Sequence, residues 1–162
     1  MTNIIELKDY FQAIVQQYIG RSGQFSTKKI FFKFGTEEFV LNTANSQVDY
    51  PLFWLEVPDA TMDDRGTDTK TYSFAFVIIT DAPADAEIEE LNALKTTEAI
   101  VDDMISRIKR DSEKNEFKAD ISKFKSEAIM NYEGDNLWGW RVSMNITTFD
   151  TCYCFEEDFW NL

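Results

Sequence analysis

The chain has 162 residues, of which 44% are hydrophobic and 15% aromatic, a composition typical of one globular domain with a sizeable core. Its 16 basic and 29 acidic side chains give a net charge of −13, which disfavours direct binding to DNA or RNA because such binding relies on Lys and Arg to neutralise phosphates. The chain has no histidine, which excludes Ser-His-Asp and Cys-His nucleophile arrangements and imidazole metal ligands.

The first predicted element is an amphipathic helix over residues 3–19. Its apolar residues recur with the 3.6-residue period of a helix that buries one face. Asn3 and Glu6 have the spacing of a capping box, and Gly20 is a typical C-terminal stop. A loop over residues 20–28 follows.

Two short strands are predicted next, at residues 30–34 and 38–41. The following run, residues 52–57, is apolar on both faces and lies between Pro51 and Pro58, a pattern that indicates a strand inside the sheet. Residues 59–70 are rich in Asp, Thr and Gly, and they predict a long polar loop.

Alternating aromatic and aliphatic residues predict a strong strand over residues 71–80. It follows the run at 52–57 after a single loop, so antiparallel pairing of these two strands is the simplest topology. A turn at 81–87 then leads to a second helix that extends to about residue 111. Seven apolar residues of this helix are predicted to face the core: Ile88, Leu91, Ile100, Val101, Met104, Ile105 and Ile108.

A strand at 126–132 and a turn at 133–136 precede the closing strand, residues 138–146. Every even position of the closing strand is apolar, which predicts a half-buried strand that belongs to the core. After Thr147 the apolar phase slips by one residue, which predicts a bulge or a sheet edge. Residues 155–162 then form an aromatic and acidic tail, whose large side chains predict contact with a partner surface.

These elements predict an α+β fold with a mainly antiparallel sheet of four to six strands. Two principal helices pack on one face of this sheet, and the element order is α-β-β-β-β-α-β-β. The whole chain, residues 1–162, is expected to be one domain that ends in the tail at 155–162.

No apolar run approaches the ~20 residues of a membrane helix, so no contact with a membrane is expected. The first nine residues lack the basic start and apolar block of a signal peptide, and we expect assembly in a cytoplasm. Cys152 and Cys154 are one residue apart, too constrained on a strand to bridge easily, so they are expected to be reduced thiols.

Possible metal ligands are few. Asp63, Asp64 and Asp68 could supply oxygen ligands to a divalent cation, but they lack the spacing of an EF-hand loop, and solvated turn residues are the better interpretation. Cys152 and Cys154 supply two thiolates where structural zinc takes four ligands. The sequence therefore predicts no metal site, no cofactor and no catalytic residue.

A resemblance rests on five segments in a fixed order after the N-terminal helix. They are Phe34-Gly35-Thr36-Glu37-Glu38, the run from Tyr50 to Glu56, Tyr72-Ser73-Phe74, Thr97-Glu98-Ala99-Ile100 in the second helix, and Gly139-Trp140 in the last strand. In this order the chain resembles the tail-terminator, tail-completion and neck-ring proteins of tailed bacteriophages and prophages.

The resemblance implies a structural virion protein without enzymatic activity. Such proteins form a homo-oligomeric ring, a hexamer or larger, at the neck or tail top of the phage. The ring ends the tail tube or joins it to the head connector, so the implied partners are further copies and neighbouring tail-tube or connector proteins. An acidic ring would also let DNA pass without adsorbing it.

Two regions are the candidate contacts with other subunits or partners. One is the polar loop, with Asp63, Asp64, Arg65 and Asp68, and the other is the aromatic tail, with Phe155, Phe159 and Trp160. Two other functions stay open. The chain could be an inhibitor or immunity-like module that masks a basic partner, or a divalent-metal hydrolase that uses the three aspartates of the loop.

Overall fold

The computed structural model describes residues 3–19, 29–36, 50–63, 69–114, 118–119, 123–132 and 136–149. Two helices and seven strands occur in these residues, and one of the strands has only two residues. In chain order they are α1 (Ile4–Gln17), β1 (Phe31–Phe34), β2 (Leu52–Leu55), β3 (Asp59–Asp63), β4 (Thr69–Asp81), α2 (Glu87–Glu113), β5 (Lys118–Ala119), β6 (Lys125–Ile129) and β7 (Leu137–Phe149).

All the strands belong to one sheet, and its centre is the antiparallel pair of β4 and β7. On the outer side of β4 lie β2 and β3, one beside each half of the strand, and β1 extends the sheet beyond β2. On the outer side of β7 lie β5 and β6. Every pairing is antiparallel except that of β1 with β2. The predicted fold class and the predicted order of the principal elements are confirmed.

Helix α1 begins where the capping box predicts. The Asn3 side chain accepts a hydrogen bond from the Glu6 backbone N–H at 2.9 Å, and its amide donates to the Glu6 carboxylate at 3.1 Å. Two hydrogen bonds thus fix the first turn of α1: one satisfies a backbone N–H group, and the other joins two side chains. The buried face of α1 consists of Leu7, Phe11, Ile14 and Val15.

The main core lies between the two helices and one face of the sheet. Phe53 and Phe76 stack there with ring centroids 5.1 Å apart, and Phe11 of α1 packs on both rings. A second apolar cluster lies on the opposite sheet face and consists of Leu52, Trp54, Val77, Ile79 and Leu137. The two clusters explain why β2 is buried at all four positions, as its two-sided apolar sequence predicts.

Helix α2 is continuous for 27 residues and passes through Thr97 without a break. The buried Thr97 hydroxyl lies 2.8 Å from the Ala93 carbonyl oxygen, so it returns a hydrogen bond to the preceding turn. The prediction that Ile88 and Leu91 face the core is wrong, since their residue surfaces are 72% and 58% exposed. They lie in the first two turns of α2, outside the buried stripe that begins at Ala93.

Two further predictions require correction. Residues 59–63 are not loop but strand β3, which pairs with the first residues of β4 to form a hairpin. The predicted phase slip after Thr147 does not occur within β7, because its register with β4 continues to Phe149 and Thr148 is still buried. The threonine fills the inward position and its hydroxyl donates to the Lys70 carbonyl oxygen at 3.1 Å.

Smaller differences concern strand ends and burial. The strand predicted at 126–132 is β6, which ends at Ile129. Trp140 is half-buried and packs against the edge of the main core, and its indole N–H donates to the Leu94 carbonyl oxygen at 3.0 Å. The strand predicted at 38–41 and the tail at 155–162 lie outside the described residues.

Candidate functional site

On the sheet face that lacks helices, an ion pair joins β7 to the end of β2. Arg141 on β7 and Glu56, just after β2, form a bidentate pair in which Nε donates to Oε1 and Nη2 donates to Oε2, each at 2.7 Å. Arg141 Nη1 also donates to Ser143 Oγ at 3.0 Å. This parallel geometry is the strongest that guanidinium and carboxylate groups adopt, and it fixes the orientation of both side chains.

A second carboxylate extends the pair towards the sheet edge. Glu127 of β6 accepts a hydrogen bond from Lys125 at 2.7 Å and lies 3.8 Å from Arg141 Nη1. The Lys125 hydrogen bond and then its charge lower the pKa of Glu127, and the charge of Arg141 lowers it further. The hydrogen bonds to Glu56 raise the pKa of Arg141, and the charge of Glu56 adds to that increase. Glu127 and Arg141 are therefore both charged at neutral pH.

We expect Glu127 to titrate with a midpoint below that of an ordinary glutamate, because Lys125 favours its charged form. Because the pKa of Glu127 is lower in the folded state, its interaction with Lys125 stabilises the protein at pH values above the unfolded-state pKa of Glu127. The contribution disappears as the pH falls through the folded-state pKa. NMR titration of the side-chain carboxyl carbon measures the midpoint.

The matched variants for this titration are Lys125→Met and Lys95→Met. The first should raise the Glu127 midpoint, while the second removes an exposed lysine from α2 and should leave it unchanged. An unchanged midpoint in Lys125→Met would contradict the assignment of the shift to that hydrogen bond.

Two open hollows flank the Arg141–Glu56 pair. The first has a volume of about 370 Å³ and an apolar floor that includes Trp54, Val77 and Ile129. The second has a volume of about 460 Å³, and its lining includes the polar residues Ser73, Ser143 and Asn145. Arg141 and Glu56 line both hollows, so the ion pair lies between them.

The hairpin of β3 and β4 holds the one predicted contact residue that the structure describes. Asp63 is exposed at the end of β3, where it is paired with Thr69 of β4. Asp64, Arg65 and Asp68 lie in the connection between these two residues and outside the described residues. Phe155, Phe159 and Trp160 also lie outside them, as do Cys152 and Cys154.

Strand β3 is unusual because all five of its residues are exposed. Its hydrogen-bonded neighbour among the described strands is β4, so its outer edge has no partner strand in that part of the chain. Ala60, Thr61 and Met62 present uncharged side chains between terminal aspartates. The strand has neither Lys nor Pro, the residues that commonly protect sheet edges.

Sequence reasoning missed Arg141 and Glu56. A usable signal existed, because Glu56 is the only charged residue between Pro51 and Pro58, and Arg141 is the only charged residue of β7. Isolated charges in otherwise uncharged strands of one sheet are candidates for mutual pairing, since a partly buried charge is costly without a partner.

No family model, no curated protein and no solved structure matches this chain. Within the described ranges, no three carboxylate or thiol side chains come together in a way that could hold a metal ion. A search of the same residues finds no helix with the length and hydropathy needed to cross a membrane.

Proposed function

We propose that the protein is a structural subunit of a homo-oligomeric ring at the neck or tail top of a tailed bacteriophage. In this role it ends the tail tube or joins it to the head connector, and it performs no catalysis. The observation that carries the proposal is strand β3, which is ordered in the sheet yet exposed at every residue. An edge strand that exposes Met62 supports contact with another subunit.

The charge of the chain supports the same role. A net charge of −13 would give the wall of a ring a strongly negative potential. DNA that crosses such a ring meets repulsion and does not adsorb to it. Ring closure between acidic subunits then depends on local contacts that offset this repulsion and on the ionic strength.

Native mass spectrometry and negative-stain electron microscopy of the full chain test the proposal directly. We expect closed rings of six or more copies at micromolar concentration, with a population that depends on salt. Monomers alone, over a range of concentrations and ionic strengths, would contradict the ring.

A pair of methionine variants tests the role of β3. Met62→Lys places a charge in the proposed contact and should weaken association about tenfold or more without changing the fold. Met130→Lys introduces the same change at an equally exposed methionine beyond β6 and should leave association unchanged; the exposed fractions are 59% for Met62 and 66% for Met130. Circular dichroism verifies the fold, and equal association of both variants would exclude β3 from the interface.

The alternative function is an acidic module that masks a basic partner. It draws support from the carboxylates around the start of α2, where Glu87, Glu89 and Glu90 occupy the first turn. Under this alternative the chain stays monomeric at every concentration and forms a salt-sensitive, one-to-one complex with a basic protein. The oligomeric state of the pure protein therefore separates the two functions.

A further inference from the structure

Strands β1 and β3 form two steps on the same side of the sheet. Strand β3 lies beside the first half of β4, and β2 lies beside the second half, with β1 beyond β2. The outer edges of β1 and β3 therefore face the same direction, and β1 projects one strand further from β4 than β3 does. Among the described residues, neither of these outer edges has a partner strand.

The backbone of β1 offers hydrogen-bonding groups at alternate residues of its outer edge. The Phe31 N–H donates to the Pro51 carbonyl oxygen at 2.9 Å, so Phe31 turns its backbone groups towards β2. Lys29 and Ile30 precede β1 and continue its alternation, because Ile30 packs against the main core as Phe32 does. Backbone groups alternate in direction along a strand, so those of Ile30 and Phe32 point outward from the sheet.

The backbone of β3 does the same. The Glu56 N–H donates to the Ala75 carbonyl oxygen at 3.0 Å, which shows that Ala75 turns its backbone groups towards β2 and β3. Every second residue of β4 from Ala75 back to Thr69 shares this direction, so the odd-numbered residues of β3 bond to β4. The backbone groups of Ala60 and Met62 therefore point outward.

Each of the two edges carries a pair of charges of one sign, and the spacing of the two pairs is the same. Lys29 and Lys33 are four residues apart along β1, and Asp59 and Asp63 are four residues apart along β3. Both pairs belong to the sheet face that lacks helices. The two edges are thus matched in spacing and opposite in charge.

Other charged side chains near these edges do not oppose this match. Glu56 lies on the same sheet face and is bound by Arg141. Lys70 belongs to the helix-bearing face, where its Nζ lies 4.9 Å from the centroid of the Tyr72 ring. The helix-bearing side also carries the charged residues of α1, which are Glu6, Lys8 and Asp9.

Pairing of either edge with the same edge of a second copy is unfavourable. A centred antiparallel pair of two β3 strands places Asp59 of each copy opposite Asp63 of the other. The equivalent pair of two β1 strands places Lys29 opposite Lys33. Like charges directly opposite each other destabilise a strand pair, whereas opposite charges stabilise it. The charges therefore favour pairing of β1 with β3.

We propose that two copies of the chain join edge to edge around a two-fold axis, with β1 of each copy antiparallel to β3 of the other. The register places Lys33 opposite Asp59 and Lys29 opposite Asp63. This one contact contains two equivalent strand pairs, and the sheet continues from one copy into the next.

The backbone supports the same register. It places Phe32 opposite Ala60 and Ile30 opposite Met62, and these are the residues whose backbone groups point outward. They form the hydrogen-bonded pairs of the new antiparallel ladder. Their side chains are uncharged and lie on the helix-bearing face, so apolar residues meet on one face while opposite charges meet on the other.

The steps in the sheet allow both strand pairs to form together. A two-fold axis perpendicular to the sheet places β1 of each copy in the step beside β3 of the other. On one side of the axis the strand order is then β4-β2-β1 followed by β3-β4 of the second copy. On the other side it is β4-β3 followed by β1-β2-β4, which is the same number of strands, so no gap remains.

The chain leaves the sheet edge where β1 ends. Gly35 has a positive φ of 151°, a value that favours glycine, and its carbonyl oxygen accepts a hydrogen bond from the Trp54 indole at 2.9 Å. Thr36 then lines the first hollow together with Arg141. The chain thus turns onto the sheet face that lacks helices, which leaves room beside the axis for β1 of the other copy.

The inference rests on the proposed contact of β3 between subunits and names its partner. A two-fold contact closes with two copies, so a ring needs a second kind of contact between these pairs and then has an even number of copies. The pairing also explains how subunits of net charge −13 associate, because the charges that meet are of opposite sign.

Two charge-reversed variants of the full chain test the pairing. Asp59→Lys with Asp63→Lys makes both edges basic, and Lys29→Glu with Lys33→Glu makes both edges acidic. Like charges then face each other in both strand pairs of a dimer. We expect each variant alone to dimerise at least tenfold more weakly than the original chain.

Two combinations should restore the dimer. An equimolar mixture of the variants should form dimers with one copy of each, because both strand pairs then join opposite charges. A chain that carries all four substitutions should also pair with itself, since its two edges have exchanged their charges. Simple destabilisation of either variant would not produce this recovery.

The controls make the same changes of net charge on α2, which packs over β4 and β7. Glu98→Lys with Asp102→Lys matches the basic variant, and Lys95→Glu with Lys109→Glu matches the acidic one; all four residues are exposed. Both controls should dimerise like the original chain. Far-UV circular dichroism verifies the fold, sedimentation velocity measures the dissociation constant, and native mass spectrometry gives the composition of mixed dimers.

The outcomes separate this contact from the ring. Dimers that respond to charge reversal but form nothing larger would support the pairing and contradict the ring. Rings with an odd copy number, or reversed variants that associate as strongly as their controls, would overturn the pairing while the ring stands. Folded variants that stay apart when mixed would also overturn it. An original chain that is monomeric at every concentration would overturn both proposals.

Discussion

Replacing Gly139 by alanine is expected to destabilise the protein by about 3 kcal/mol, because a β-carbon at this position has no space. It would lie 2.8 Å from Ile79 Cα and 2.9 Å from the Ile78 carbonyl carbon, and closer still to the Ile78 carbonyl oxygen. These are backbone atoms of β4, which cannot rotate aside as a side chain would. Gly139 is also paired with Ile129 of β6 on its other side, so β7 cannot shift away from β4 without breaking that pairing.

Urea unfolding followed by tryptophan fluorescence measures this effect. The matched control is Asn145→Ala, which lies on the same strand and the same sheet face and creates no backbone contact. We expect the control to change the free energy of unfolding by less than about 1 kcal/mol. A Gly139→Ala protein as stable as the control would show that the two strands can separate locally at little cost.

Replacing Phe11 by alanine is expected to destabilise the protein by about 3–5 kcal/mol. Phe11 is fully buried and connects α1 to the sheet, because its ring packs on Phe53, Phe74 and Phe76 with centroids 5.3–6.2 Å away. Its removal leaves a cavity between the two layers and takes away the largest side chain on the buried face of α1. The loss should therefore loosen α1 more than α2.

Thermal and urea denaturation give the size of the effect, and amide hydrogen exchange shows where it acts. Exchange in Ile4–Gln17 should accelerate more than exchange in Glu87–Glu113. Phe31→Ala is the control, since Phe31 is an exposed phenylalanine of β1 and its removal should cost under about 1 kcal/mol. Equal acceleration in both helices would contradict the role of Phe11 as the anchor of α1.

The fold was predictable because its strongest patterns are local. The capping pair of Asn3 and Glu6, the alternation in β7 and the two-sided apolar run of β2 each indicate their element within a few residues. Loop composition misled the prediction at β3, since Asp and Thr also occur in an exposed strand whose stability comes from its pairing with β4. The slip predicted after Thr147 failed because a buried threonine can replace an apolar residue when its hydroxyl has an acceptor.

The candidate site was less predictable than the fold. Arg141 and Glu56 are 85 residues apart and meet only through the register of β7, β4 and β2, which one sequence does not specify. Ile88 and Leu91 fit the 3.6-residue period of α2. Periodicity alone does not show at which residue of the helix the contact with the sheet begins. That boundary depends on how far the sheet extends beneath α2, which is a tertiary property.

The central pair of the sheet has a consequence for how the chain is made. The residues that β4 and β7 bring together are between 56 and 80 positions apart in the sequence, so the middle of the sheet closes late. Both helices and β1 to β4 are synthesised before β7, and until then one edge of β4 lacks its partner. Because such distant pairing must overcome a large loop entropy, we expect the sheet to close slowly, after synthesis of its last strand. A nascent chain that stalls before Leu137 therefore exposes the β7-facing edge of β4, a strand of 13 residues, without its partner.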